Sequence, residues 1–541
     1  MFKSTKVASS VALITSVCLS GGVFAQSYDV VIKNGRVMDP ETNYDKVSNV
    51  GIIGDEIVTI STDELKGEKV IDATGKVVAP GFIDTHFHWP RELGYKIGLR
   101  DGLTSSMDLE LGCAGSAIEQ WYADREGVTQ ANYGCGVSHE FARAKVLDNQ
   151  PQKNLYDPVS ALVTRNKTGW ALETPTTEQL EEIAKEVDEG MKAGGLNLAS
   201  TVGYMREGVT SQEMYELQRV AAAYGRHTGA HTRFTPDNAT NENLGAMEIV
   251  ANGLALDAPI SLLHFNNPGW ELAQEMMVNL REKGVNIWGE IYPYTAGGTT
   301  LGAVFIKPEN WIDRLGHRYE DTLFDPATNE FYTLEKYKED VAKDPTKVIL
   351  LFKAPETDPV RWISLKGVTM ASDALPMMPI DGDWDTPYEK LANGHPRTSG
   401  SRALTLRLAR ENNVPLMDTL AILSYNSAYH LGEAGLEAMQ KRGRMQEGMI
   451  ADIVVFDPEN VQDNATYTDP AVPSTGFHSV LVGGVETVRD DKVIKEARGG
   501  QAIRFTPTEK SLYQERTASD WKEKYTNAGE EIDFTSVVEN K

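Results

Sequence analysis

Two histidines stand two residues apart at the end of Pro80-Gly81-Phe82-Ile83-Asp84-Thr85-His86-Phe87-His88. Neutral imidazole is the commonest metal ligand. On an extended backbone residues i and i+2 face the same side, so His86 and His88 project together and offer half of a metal site. Alone, the pair reads equally well as two surface histidines. It is not alone. His231 closes the candidate strand 226–231, and His264 closes the candidate strand 258–264. Asp373 follows the apolar run from Val368, and Glu110 follows Thr104-Ser-Ser-Met-Asp-Leu109, with Cys113 just beyond. Four imidazoles and two carboxylates, spread one group or pair per apolar run, suit zinc and metal-assisted hydrolysis.

Such donors need elements that carry them to one point. Candidate strands lie at 77–86, 103–110, 131–139, 194–203, 226–231, 258–264, 285–292 and 367–373. The clearest helix spans 176–193. Thr176 and Gln179 form a capping box there, and Leu180, Ile183, Ala184, Val187 and Met191 make a one-sided apolar stripe. Strands alternating with helices predict an α/β fold, a (β/α)8 barrel, with a doubly wound open sheet as the alternative. In a barrel all the strand ends above open on one face.

Hairpin turns at Asn34-Gly35 and Gly54-Asp55 mark residues 26–79 as part of a small β domain. Strand texture returns in 436–504, around Gly448–Pro458 and Val480–Val488. The two ends are therefore expected to form one β-sandwich domain flanking a barrel at 80–435. Helices are expected at Arg402–Glu411 and Leu416–Leu431. An aromatic, charged insertion at about 300–365 is too long for a simple connection. It reads as a lid beside the site or as a structural excursion. Residues 505–541 read as a surface-packed or mobile tail.

The 541 residues carry 53 basic and 78 acidic side chains, net −25. That charge argues against nucleic acid or an anionic membrane as partner. Residues 1–25 have a basic start, a short apolar centre and Val23-Phe24-Ala25 before Gln26. They read as a signal peptide and predict export, periplasmic or secreted. Cys113 and Cys135 remain after cleavage, enough for a single bridge at most.

The Pro80–His88 stretch, the lone histidines and the late Ser372-Asp373 together resemble the amidohydrolase superfamily, over almost the whole mature chain. Arg442-Gly-Arg444 with Glu447-Gly448 and Ala451-Asp452 is similar to that family's return to its small β domain. Gly229-Ala-His231-Thr-Arg233, Tyr292-Pro-Tyr294 and His395-Pro-Arg397 resemble N-acyl-D-amino-acid deacylases of the D-aminoacylase and N-acyl-D-glutamate deacylase type. The resemblance implies a barrel with a split β-sandwich and one or two zinc ions. It implies His86, His88, His231 and His264 as ligands, and Asp373 as ligand and general base. The expected substrate is a small N-acyl-D-amino acid, N-acyl-D-glutamate included. Tyr292 or Tyr294 is the candidate oxyanion donor. Arg397 is the candidate for the substrate carboxylate, with Arg233 and Arg402 as further options.

Two departures matter. A bridging cysteine in a Gly-Asn-Cys-Gly context is missing; by register Glu110 takes the bridging place, with Cys113 as the alternative. A lysine expected two residues after His264 is replaced by Asn266. The run 196–200 offers no lysine of the kind that cyclic-amide hydrolases and isoaspartyl dipeptidases use. Those remain the rival activities, and an exported, catalytically silent binding protein the rival of another class. A homo-oligomer is compatible with this reading.

Overall fold

The computed structural model describes residues 27–151, 156, 159, 169–233 and 244–536. The expected signal peptide lies outside them. The first strands are β1 (Ser27–Asp39), β2 (Tyr44–Ile53), β3 (Glu56–Ser61), β4 (Lys66–Asp72) and β5 (Val77–Pro80). Then follow β6 (Phe82–Asp84), β7 (Leu103–Cys113), β8 (Asn132–Ser138), β9 (Leu198–Ser200), β10 (Thr228–Ala230), β11 (Ile260–Leu262) and β12 (Ile287–Ile291). The insertion holds β13 (Ala296–Thr300), β14 (Leu323–Asp325), β15 (Glu330–Phe331) and β16 (Val348–Phe352). The last strands are β17 (Val368–Met370), β18 (Ile453–Phe456), β19 (Phe477–Val482), β20 (Val485–Arg489) and β21 (Lys492–Val493).

β6 to β12 and β17 form an eight-stranded sheet in sequence order. Its pairs are parallel throughout. A bridge between Phe87 and Ala374 joins the two outer strand ends and closes the barrel. Ile83, Met107, Leu109, Leu196 and Trp288 belong to one buried cluster of this barrel. The helix Thr177–Lys192 packs outside, with both bonds of its capping box formed and Leu180, Ile183, Val187 and Met191 buried. The chain ends share a nine-stranded sheet, β21-β20-β19-β18-β5-β1-β2-β3 with β4 on β1, around Ile32, Val37, Val50, Ile453 and Val455.

Three expectations need correction. The run 77–86 is two strands in two sheets: β5 pairs with β1 and β18, whereas β6 opens the barrel. The switch occurs at Gly81, where a Cβ would lie 2.3 Å from Thr104 Oγ1. The helix expected from Arg402 begins at Arg397. Its first turn, Thr398-Ser399-Gly400, is built of weak helix formers, so periodicity hides it. The helix expected over 416–431 is divided, Leu416–Leu420 and Asn426–Glu433, by a wider turn at 421–425.

The insertion folds into its own antiparallel sheet, β13-β16-β14-β15, over a core of Trp311, Tyr319, Leu323, Tyr332 and Ile349. The tail is surface-packed: Tyr513 and Arg516 bind Glu216, at 3.0 Å for the arginine. Among the described residues no helix is long and apolar enough to cross a membrane.

Candidate metal centre and active site

The barrel brings the six sequence-predicted donors to one mouth. His86 Nε2 lies 3.0 Å from His88 Nε2. Glu110 Oε2 is 3.2 Å from His86 Nε2 and 3.3 Å from His88 Nε2. The other oxygen of Glu110, Oε1, is 2.8 Å from His264 Nε2 and 3.2 Å from His231 Nδ1. Asp373 Oδ1 stands 3.5 Å from both His86 Nε2 and His88 Nε2. Three triads have donor atoms mutually within 4.8 Å: His86/His88/Glu110, His86/His264/Asp373 and Glu110/His231/His264. One carboxylate thus faces two neighbouring pairs of imidazoles.

Strand ends and local backbone set these positions. β7 bulges between Asp108 and Cys113, and Asp108 Oδ1 accepts from the backbone N–H groups of Glu110, Leu111 and Gly112 at 2.8–3.2 Å. That loop swings Glu110 into the mouth. His264 and Asp373 take left-handed φ values of 31° and 50°. For non-glycine residues this conformation costs roughly 1–3 kcal/mol, held here by the packed strand ends. Asp84, at the end of β6, accepts from the backbone N–H groups of His86 and Ser372, each at 3.1 Å. It thereby ties together the two strand ends that carry His86 and Asp373.

Buried partners fix the rings. His86 Nδ1 donates to Glu290 Oε1 and His88 Nδ1 to Asp108 Oδ2, both at 2.6 Å. Carboxylates at the outer nitrogens aim both Nε2 lone pairs inward, the usual support of a metal-bound imidazole. Burial opposes the charged form of His86, but Glu290, Asp373 and Glu110 outweigh it and hold its pKa well above the ordinary value. The same contest holds for His88, where Asp108 dominates. Burial raises the Glu110 pKa, yet His86, His231 and His264 overcome this and keep it far below the usual carboxylate range. Burial lowers the pKa of His231. Two inward Nε2 atoms at 3.0 Å repel unless a cation or a proton lies between them. Four imidazoles and two carboxylates, with the His86 and His88 rings held by outer carboxylates, fit zinc.

The remaining candidates divide. Arg397 is 1% exposed, and its Nη2 lies 2.8 Å from Asp373 Oδ1. Tyr292 is buried, with the Arg397 guanidinium 5.1 Å from its ring centre. Tyr294 is not brought to the mouth: its hydroxyl donates to the Pro396 carbonyl at 3.3 Å. Arg233 pairs with Glu248 at 2.7 Å, and Arg402 binds Asp84 and, at 3.1 Å, Asp101. Cys113 sits behind the mouth against Cys135, both thiols free and buried, sulfurs 3.0 Å apart.

Sequence reading missed Glu290, Asp108 and the Asp84–Arg402 pair. Glu290 and Asp108 had a signal, a lone carboxylate inside an apolar strand. Arg402 had only its helix. Because Arg402, Asp84 and Asp101 are fully buried, Arg402→Ala should leave two carboxylates uncompensated and destabilise the fold by about 3–5 kcal/mol. Urea unfolding of the metal-free variant measures this.

The mouth opens into a cavity of about 410 Å³ lined by His88, Glu110, His231, His264 and Asp373 on one side. Thr299, Thr300, Lys347 and Val348 of the insertion and Leu375, Pro376 and Met378 line the other. The insertion is therefore part of the site wall.

No protein-family profile matches the chain. It is 24% identical to the D-aminoacylase of Alcaligenes xylosoxydans xylosoxydans over 510 residues, 85% of this chain and 94% of that protein. It is 26% identical to the N-acyl-D-glutamate deacylase of the same organism over 485 residues, 85% and 93% of the two chains. Among solved structures, the N-acyl-D-glutamate deacylase of Bordetella bronchiseptica, complexed with zinc and a phosphonate inhibitor, superposes with a TM-score of 0.68 at 22% identity. That alignment covers 88% of this chain and all of the other. The resemblance carried by the motifs thus extends through most of the sequence and the fold.

Proposed function

We propose that the protein is a zinc-dependent amidohydrolase that deacylates N-acyl-D-amino acids, giving a carboxylate and a free D-amino acid. One observation carries this reading: Glu110 joins two imidazole pairs while Asp373, beside Arg397, faces the same point in a cavity of about 410 Å³. His86, His88, Glu110, His231, His264 and Asp373 would hold one or two zinc ions. When bound, zinc supplies Lewis acidity, polarising the amide carbonyl and making water acidic enough to attack near neutral pH.

The chain's own groups do the rest. Asp373 accepts the proton of the attacking water on its carboxylate and delivers it to the departing amine nitrogen. Burial raises its pKa, but Arg397 and His86 outweigh burial and keep it ionised. Burial pushes the Tyr292 pKa upward, so its hydroxyl keeps its proton and donates to the oxygen that gains charge. Tyr292→Phe should lower kcat about 10²-fold with KM little changed, a split that steady-state kinetics reads directly. Arg397 presents buried Nε and Nη1 atoms with no hydrogen-bond partner among the described residues, fit for a substrate carboxylate.

At β9, where the rival cyclic-amide hydrolases and dipeptidases would need a lysine, stands Ser200, bonded to His139 at 2.9 Å. Support for the D-configuration comes from the named relatives. Export is part of the proposal, on the basic and apolar pattern of residues 1–25. A hydrolysis screen of N-acetyl-D- and L-leucine, N-acetyl-D-glutamate and hydantoin, with zinc quantified in the same sample, tests the reading. Turnover of hydantoin alone, or of nothing with zinc present, would overturn it.

A further inference from the structure

The position two residues after His264 is Asn266, an uncharged side chain whose amide donates to the Tyr292 carbonyl at 3.0 Å. A cation nevertheless stands nearby. Lys353 follows β16 directly, on the inserted sheet. Its ammonium donates to Asn267 Oδ1 and lies 5.8 Å from the Tyr292 ring centre, with the Arg397 guanidinium 5.1 Å from the same centre. Lys353 and Arg397 line one small recess with Tyr292, His231, His264 and Asp373.

Two cations there face one carboxylate, Asp373, which also belongs to the metal cluster. Arg397 Nε and Nη1 are buried with no hydrogen-bond partner among the described residues. Burial and the adjacent guanidinium lower the Lys353 pKa to about 7. The recess is therefore short of negative charge. Its wall is cut back to backbone where an anion would rest: a Cβ on Gly297 would lie 3.3 Å from the Tyr292 hydroxyl and 3.4 Å from Lys353 Nζ. On Gly298 it would lie 3.5 Å from Arg397 Nη2.

We propose that Lys353 is a specificity-determining residue: its ammonium, delivered by the inserted sheet, joins Arg397 in holding the substrate's α-carboxylate. The inference rests on the deacylase reading above. It gives the insertion a direct part in binding, since the clamp has one jaw on the barrel and one on the inserted sheet. The opposing view is that Lys353 only fastens that sheet to Asn267.

The test uses the zinc-loaded enzyme with N-acetyl-D-leucine, N-acetyl-D-glutamate and the α-carboxamide of each. Lys353→Met should lower kcat/KM for the acids about 10–100-fold, mainly through KM, and leave the carboxamides near their wild-type values. Lys353→Arg should restore most of the loss. A fastening role would lower acids and carboxamides alike and leave their ratio at the wild-type value, and that outcome overturns the inference. If Lys353→Met does not fold, the same ratio is read from Lys353→Gln. Wild-type enzyme that hydrolyses none of the four compounds overturns the deacylase reading instead, so the two failures are distinct.

Discussion

Asp373→Asn is expected to keep its zinc and lose turnover by roughly 10³–10⁴-fold. The amide is nearly isosteric, and the carbonyl oxygen it retains can still face His86 and His88, 3.5 Å away in the native protein. What disappears is the ability to accept a proton. His86, His88, Glu110, His231 and His264 still make up two of the three donor triads, so metal content should stay near that of the wild type. Zinc analysis and kcat measured on one preparation decide it. Near-normal kcat would mean that Asp373 is not the base. A parallel loss of zinc would mean that its main duty is ligation.

Glu110→Ala should have the larger effect on the metal. Oε2 serves the His86/His88 pair and Oε1 the His231/His264 pair, so one substitution removes a donor from both. It also leaves four imidazoles crowded around a void that no carboxylate balances. Zinc content should fall by at least one ion per chain, and activity to about the background rate, since the acidity of the attacking water depends on the metal. Inductively coupled plasma analysis after dialysis measures the first. Full retention of both zinc and activity would assign the bridge elsewhere. Cys113 is not the substitute, because its sulfur faces Cys135 behind the mouth. Cys113→Ser should accordingly leave metal content unchanged, a useful control.

The substitutions act at different stages. Arg402, Asp84 and Ser372 form a buried set, with Ser372 Oγ donating to Asp84 at 2.6 Å. Its removal acts on folding, by loss of charge compensation in a dry interior. In the proposed reaction Asp373 and Tyr292 act on protons already in place. Glu110 acts on assembly of the donors.

Much of this was written along the chain. Strict alternation, apolar runs of strand length and a capping box at Thr176 told strands from helices. A donor residue closing several of the runs marked the mouth before any contact was known. Spacing alone placed His86 and His88 on one face, because side-chain direction on a strand has a period of two. Other features depended on contacts between residues far apart in sequence. The division of 77–86 between two sheets follows from β18, which lies more than 370 residues on and against which β5 pairs. Glu290 and Asp108 became partners of His86 and His88 only once strands closed into a barrel. Tyr292 and Tyr294 look alike in sequence; the chain's turn at the end of β12 sends one to the recess and the other to Pro396. Lys353 carried no signal, being one lysine after an apolar strand, and it gained meaning only when the inserted sheet folded back over Arg397. Local sequence sets backbone conformation and side-chain period, which are short-range. A site is a meeting of distant side chains, and closure and packing of the sheets decide which ones meet.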